Sequence, residues 1–204
     1  MNESAERQNT RNQEDSALIK AFRNGDKSAF DKLVLKYKDN VFNLCYRFLG
    51  NYEEADDYAQ ETFIKVYRGL AGFRFESAFS TWLYRVTVNT CKNRLSSLEF
   101  RHSKKMIAID GGRDNEDCRK TNTIDIKDDS PSPKAALERK EKEILIQQTI
   151  ESLPPDQRMI ILLRDIEGLS YAEMAEISGY KIGTVKSRLA RARQALAEKL
   201  RSAI

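Results

Sequence analysis

Residues Leu169–Leu196 read LSYAEMAEISGYKIGTVKSRLARARQAL, two helical patterns parted by the short break Ser178-Gly179-Tyr180. Ser170 to Glu173 fits a capping box, in which Ser170 accepts from the Glu173 amide and the Glu173 carboxylate reaches back to the Ser170 amide. Met174 and Ile177 give the short first helix an apolar side, and Gly179 supplies the positive φ that a tight inter-helix turn commonly needs. In the second helix Val185, Leu189, Ala192, Leu196 and Leu200 share one face at 100° per residue. Thr184, Ser187, Arg188 and Arg191 point the opposite way, with Lys186 and Arg193 on a flank. Small Ala175 stands where the two helices would cross. This is the pattern of a helix-turn-helix. A small, polar and basic outer face suits a major groove, where Arg reads guanine and Ser or Thr holds phosphate. Basic residues on a helix often make no more than a solvated face; capping box, turn glycine and one-sided charge together favour DNA.

The bulk composition agrees with a helical, ionic protein. Of 204 residues, 40% are hydrophobic and 32% charged, and the net charge of +4 is too small to name a partner by itself. No apolar run approaches the ~18 residues of a membrane span, and the polar start MNESAERQNTRNQEDS lacks the apolar core of a signal peptide, so a cytoplasmic protein is expected. Cys45, Cys91 and Cys118 show no C-x-x-C spacing and His102 is the single histidine, which argues against a metal site. Cys45 and Cys91 fall on apolar helix faces, as small core residues do. No phosphate-cradling glycine loop or catalytic constellation is present, so neither an enzyme, a cofactor nor a small-molecule substrate is expected.

Proline placement divides the chain, because all four prolines lie after residue 130. Residues 1–13 are expected to be frayed and disordered. Residues 14–97 form an all-helical lobe: Phe30, Leu33, Val34, Tyr37, Val41, Leu44, Cys45 and Phe48 make one stripe, and Ala59, Phe63, Val66, Tyr67 and Leu70 make another. Gly25, Gly50 and the Gly69–Gly72 pair mark the breaks. Residues 98–133, polar and rich in Asp, Asn, Gly and Pro, read as a flexible linker. Helices resume near Lys134 and continue through 134–204, with Pro155 and Asp156 opening one of them. The fold class is all-α, two small helical domains joined by a linker.

Two stretches of the first lobe carry chemistry. NYEEADDYAQETFIKVYRGL holds five acids between Glu53 and Glu61 and no base there, more than a helix dipole needs, and so offers a surface to a basic protein partner. GFRFESAFSTWLYRVTVNTCKNRL crowds Phe73, Phe75, Phe79, Trp82 and Tyr84 among Arg74, Arg85, Lys92 and Arg94. Trp82, Val86, Asn89 and Asn93 form one helical stripe, while Tyr84, Val88, Cys91 and Leu95 form the inward one. Aromatic, Asn and basic side chains at a loop–helix junction serve single-stranded DNA by stacking, base-edge hydrogen bonds and phosphate neutralisation. The aromatics could instead be core; the paired Asn residues would add little to one.

In this order, DDYAQETFIKVYRGL, SAFSTWLYRVTVNTCKNRL and ESLPPDQRMIILLRDIEGLSYAEMAEISGYKIGTVKSRLARARQAL closely resemble the extracytoplasmic-function, sigma-E-like group of the sigma-70 family of bacterial RNA polymerase. The resemblance implies region 2 over residues 14–97 and region 4, with its helix-turn-helix, over 134–204. It implies that Asp56, Asp57, Gln60, Glu61 and Phe63 dock on the β′ clamp helices of core RNA polymerase. By the same resemblance, Phe73, Arg74, Phe75, Ser77, Phe79, Ser80, Trp82, Arg85, Asn89, Lys92 and Asn93 bind and open the −10 promoter element as single strand. Thr184, Lys186, Ser187, Arg188 and Arg191 read the −35 element as duplex, and the apolar faces of region 4 meet the β flap. The linker would thread toward the polymerase active centre, its seven acids against four bases between Asp110 and Asp129 suiting a basic channel. Family members answer stress or envelope signals and are held inactive by an anti-sigma factor, often membrane-bound, which would keep this chain at the inner membrane. Phe75 departs from the small or polar residue expected after Phe73-Arg74.

A stand-alone helix-turn-helix regulator with a dimerising or ligand-sensing lobe is the alternative; it would need neither the acidic helix nor the aromatic–Asn segment. An enzyme with a DNA-binding tail would need a catalytic constellation.

Overall fold

Apolar residues at three- and four-residue spacing wind the first lobe into α1 (Glu3–Arg23), α2 (Ser28–Leu49), α3 (Tyr52–Leu70) and α4 (Phe79–Ala108). The computed structural model describes the backbone of residues 3–108 and 133–203 and the side chains of 10–97 and 141–202. Local chemistry sets the ends of these helices. The Asp26 carboxylate accepts from the Ser28 amide at 2.9 Å and from its hydroxyl at 2.7 Å as α2 begins. Gly50 ends that helix at φ 79°, its N–H donating to the Tyr46 carbonyl. Asn51 at once caps α3, its side chain accepting from the Glu54 amide at 2.9 Å. Leu33, Val41, Leu44 and Phe48 of α2 close on Ala55, Ala59, Val66 and Leu70 of α3 and on Leu83 and Val88 of α4. Cys45 and Cys91 join that core with their sulfurs 3.6 Å apart, and the Cys45 contact together with burial pushes the Cys91 thiol up.

The boundary expectations need two corrections. The first helix begins at Glu3, so the disorder assigned to residues 1–13 does not hold from residue 3 onward. Buried Asp15 accepts from Tyr37 Oη at 2.5 Å and Lys36 Nζ at 2.7 Å, and Ile19 is fully buried; this anchored turn lets Glu, Arg and Gln, all good helix formers, extend the helix outward. At the other end α4 runs past Ser97 to Ala108, because residues 96–108 lose apolar periodicity but contain no Gly or Pro to stop a helix. The remainder of the expected linker, with Cys118 and the Asp110–Asp129 acids, lies outside the described residues.

The second lobe comprises α5 (Pro133–Glu151), α6 (Pro155–Ile161), a π-helical turn (Leu162–Ile166), α7 (Tyr171–Ser178) and α8 (Ile182–Ala203). Met159 to Leu163 form its centre with Ile150, Met174, Ile177, Val185, Leu189 and Ala192. No strand occurs among the described residues, and no helix among them is long and apolar enough to cross a membrane.

The lobes pack on each other. Arg158, buried, donates to the Phe48 carbonyl at the end of α2 and to the Glu151 and Leu153 carbonyls of its own lobe. Gln147 Nε2 reaches the Tyr46 and Arg47 carbonyls at 3.4 and 3.3 Å. Tyr84 Oη donates to Glu167 at 2.6 Å, and burial pushes both of these groups up.

Candidate nucleic-acid interface

The helix-turn-helix forms as its sequence dictates. The Ser170 N–H donates to Glu173 Oε2 at 2.8 Å and the Glu173 N–H to Ser170 Oγ at 3.3 Å, completing the capping box of α7. Gly179 adopts φ 73° and closes α7 through its N–H to the Ala175 carbonyl at 2.9 Å. Val185, Leu189 and Ala192 of α8 are buried, so the opposite face is presented outward. Lys186, Ser187 and Arg191 are exposed and Thr184 half-buried. Arg188 is held in place: its guanidinium lies 4.0 Å from the Tyr180 ring centroid and donates to Asp156 Oδ2 at 2.8 Å.

The aromatic segment divides differently from expectation. Asn89 and Asn93 are exposed on α4, with Arg85 and Lys92 half-buried beside them. Phe73 and Phe79, expected as DNA contacts, are instead buried at 6% and 3% exposure. Both pack against Trp82, with ring centroids at 5.3 and 6.0 Å, and serve as its support. Phe73 lies in a loop without periodicity and Phe79 is the first residue of α4, so the sequence left their facing open between core and DNA. Half-buried Trp82 leans on Gly69, where a Cβ would meet its ring at 3.1 Å. A cavity of about 190 Å³ opens there, lined by Gly69, Gly72, Arg74, Trp82 and Arg85, with Glu176 of α7 on its far side. Ser77 also lines it, and Ser80 is half-buried in the first turn of α4.

Phe75, in the loop between α3 and α4, has φ 56° and is the one described non-glycine residue at positive φ. Arg23 of α1 covers its ring at 5.0 Å and donates to the Phe73 carbonyl, and Phe73 meets it edge-on at 5.1 Å. Sequence reasoning missed Arg23, which lies fifty residues from its partner.

On α3, Asp56, Asp57 and Gln60 are exposed, while Glu61 and Phe63 are half-buried. Gln60 Nε2 donates to Asp56 at 2.9 Å, and Glu61 pairs with Lys65 at 2.7 Å. Ile64, four residues beyond Gln60 and seven beyond Asp57, is 51% exposed on that same face. Its helical register could have revealed it.

One carboxylate gathers both basic surfaces. Asp156, at the start of α6, accepts from Lys92 of α4 at 2.7 Å, from Tyr180 at 2.9 Å and from Arg188 at 2.8 Å. Burial pushes the carboxyl up, but the hydrogen bonds from Lys92, Tyr180 and Arg188 outweigh it and hold the pKa at about 2. No cluster that could hold a metal ion occurs among the described residues.

Comparison with known proteins places these surfaces in a family context. The pattern of sigma-70 region 2 matches residues 33–101, and that of sigma-70 region 4 matches residues 143–196. The chain is 42% identical to the RNA polymerase sigma-H factor of Pseudomonas aeruginosa over 184 residues, which span 90% of this chain and 92% of that protein. It is 38% identical to the ECF RNA polymerase sigma-E factor of Escherichia coli strain K12 over 190 residues, 93% of this chain and 96% of that one. Among solved structures, CnrH in complex with the cytosolic domain of CnrY aligns with a TM-score of 0.64 at 22% identity, covering 93% of this chain and 98% of that chain. The sigma factor RpoE bound to the anti-sigma factor NepR from Bartonella quintana aligns with a TM-score of 0.60 at 23% identity, covering 84% and 96%. At these identities the structural likeness is one of fold.

Proposed function

The chain belongs to the extracytoplasmic-function group of the sigma-70 family, and from that premise we propose that it binds core RNA polymerase and directs it to promoters with separate −35 and −10 elements. What carries the reading is the pair of outward polar faces on two different lobes, Asn89 and Asn93 on α4 and Lys186, Ser187 and Arg191 on α8. A rigid helix with exposed cations reads duplex, whereas exposed amides suit the edges of bases already separated. Asp56, Asp57, Gln60 and Glu61, with Ile64 among them, form the docking face for the β′ clamp helices; Phe63 supports that face from the core side. The apolar side of the second lobe meets the β flap.

Lys92 and Arg188, both paired with Asp156, are free for phosphate or base only after those contacts open. Polymerase binding supplies the free energy for that opening, so the chain alone is a poor promoter binder. The chain contributes recognition and strand separation, and the polymerase performs the catalysis. It works in the cytoplasm in a stress or envelope response, restrained by an anti-sigma factor that can hold it at the inner membrane. The anti-sigma partner draws support from the NepR-bound fold neighbour.

Run-off transcription with core polymerase tests the reading. The chain is expected to redirect initiation to a defined set of start sites, and Asn89→Ala to impair promoter opening while core affinity stays intact. A chain that leaves core polymerase unbound and shifts duplex alone at nanomolar concentration would instead be a stand-alone regulator.

A further inference from the structure

Long side chains on a helix lean toward its N-terminus, so Arg188, in the second turn of α8, reaches back toward the inter-helix turn at Tyr180. There its guanidinium carbon lies over the Tyr180 ring, 4.0 Å from the centroid. Arg164 and Lys186 come less close to the Tyr171 ring, at 5.0 and 5.5 Å. The Tyr180 ring is itself fixed. Gly179 at φ 73° turns the chain there, and Tyr180 packs against the buried core. Its N–H donates to Ser178 Oγ at 3.3 Å and its Oη to Asp156 Oδ2 at 2.9 Å. Asp156 and Tyr180 hold the same guanidinium in different ways. The carboxylate takes Nη1 at 2.8 Å, whereas the ring covers the central carbon from one side. Bidentate reading of guanine uses two N–H groups on the edge of the guanidinium and leaves its faces unused. The Asp156 bond therefore competes with a base for Nη1, and the Tyr180 stack does not.

We infer that Tyr180 is the positioning residue for Arg188: its ring keeps the guanidinium in place beside the turn, so that once the Asp156 bond opens the free N–H edge meets one guanine of the −35 duplex. This rests on the −35 reading proposed above and deepens it, because it assigns Arg188 a base and gives Tyr180 a share in choosing that base. An arginine on a flexible stem gives up rotamer freedom when it reads a base, and a guanidinium already stacked has less to give up. Cation–π attraction also limits the directions in which the edge can point. A wrong base then leaves the N–H groups unpaired, since the guanidinium is not free to swing toward another acceptor. Loss of the ring therefore costs selectivity as well as affinity.

The test measures base preference. Holoenzyme assembled from core polymerase and the full chain is titrated against a promoter it transcribes and against every single base-pair substitution across the duplex −35 element. Each affinity is taken as a ratio to that for the unsubstituted promoter, which cancels any loss of folded protein. The parent should prefer guanine at one position by about thirtyfold, and Arg188→Ala should abolish the preference at that position alone. Tyr180→Leu, which keeps apolar bulk without a π-face, should lower the same preference about fivefold, and Tyr180→Phe should retain it. In an Arg188→Ala background Tyr180→Leu should change nothing further. Asp156→Asn should leave the preference in place. Full preference in Tyr180→Leu, or survival of the preference in Arg188→Ala, would overturn the assignment. So would a loss in Tyr180→Phe or Asp156→Asn as large as that in Tyr180→Leu, or a loss spread over every position. A parent holoenzyme indifferent to all −35 substitutions would overturn the −35 reading itself.

Discussion

In the helix-turn-helix each change of backbone direction has a cause within four residues. Ser170 and Glu173 start α7, Gly179 stops it at φ 73°, and burial of Val185, Leu189 and Ala192 rotates α8 so that its cations face out. The loop between α3 and α4 has only weak local causes, the short turns from the Gly72 N–H to the Gly69 carbonyl at 3.0 Å and from Phe73 to Leu70 at 3.2 Å. Its shape comes from a distance: Phe79 and Trp82 of α4 pack on Phe73, Tyr37 of α2 packs on Phe79, and Arg23 of α1 holds the Phe73 carbonyl. The two proposed DNA surfaces should therefore fail differently under mutation. Damage to the first stays within one or two turns; damage to the second spreads through the lobe.

Phe79→Ala is the strongest way to expose that contrast. Removing this ring leaves a cavity under Trp82 and beside Tyr37, and the expected destabilisation is about 3–5 kcal/mol in urea unfolding, with promoter opening lost as well. A loss under 1 kcal/mol would mean that the aromatic group does not set the loop. Ser170→Ala removes half of the capping box at an exposed helix start and should cost about 1 kcal/mol. Its −35 recognition should weaken while binding of premelted −10 DNA is untouched; a parallel loss of both would erase the distinction between the surfaces.

The smallest effect concerns Asp156, the group that touches both. Its folded pKa of about 2 lies below the ordinary 3.8, so its contribution is present at neutral pH and is lost as pH falls from about 4 toward 2. The carboxylate is 40% exposed, and solvent screening limits that contribution to about 1 kcal/mol or less. Asp156→Asn should therefore unfold at lower urea than the parent at pH 7, with the gap closing near pH 2. A gap that persists unchanged in acid would assign the effect to packing.

The same contrast explains what the sequence could and could not disclose. Capping box, turn glycine and the apolar face of α8 were legible because helix periodicity and φ preference act over neighbouring residues. Asn89 and Asn93 were legible too, since α4 is regular there and the opposite stripe of Tyr84, Val88 and Cys91 is buried. The facing of Phe73 and Phe79 stayed open, because Phe73 sits in a loop that carries no period and Phe79 is only the first residue of α4. Arg23, Glu176 and the Asp156 contacts were invisible, since each depends on residues that only tertiary packing brings together. The continuation of α4 past Ser97 was missed because fading apolar periodicity was taken for the end of the helix.

The distances along the chain at which contacts form also bear on the order of synthesis. Helices α1 to α4 pack chiefly on their immediate successors, an arrangement of local contacts that closes quickly. The bonds between the lobes span far more chain: Tyr84 to Glu167 across 83 residues and Phe48 to Arg158 across 110. The first lobe can therefore fold while the second is still being translated. For that interval the Phe48 carbonyl, the Tyr84 hydroxyl and the Lys92 ammonium lack their second-lobe partners, and a nascent chain emerging from the ribosome offers these groups to solvent.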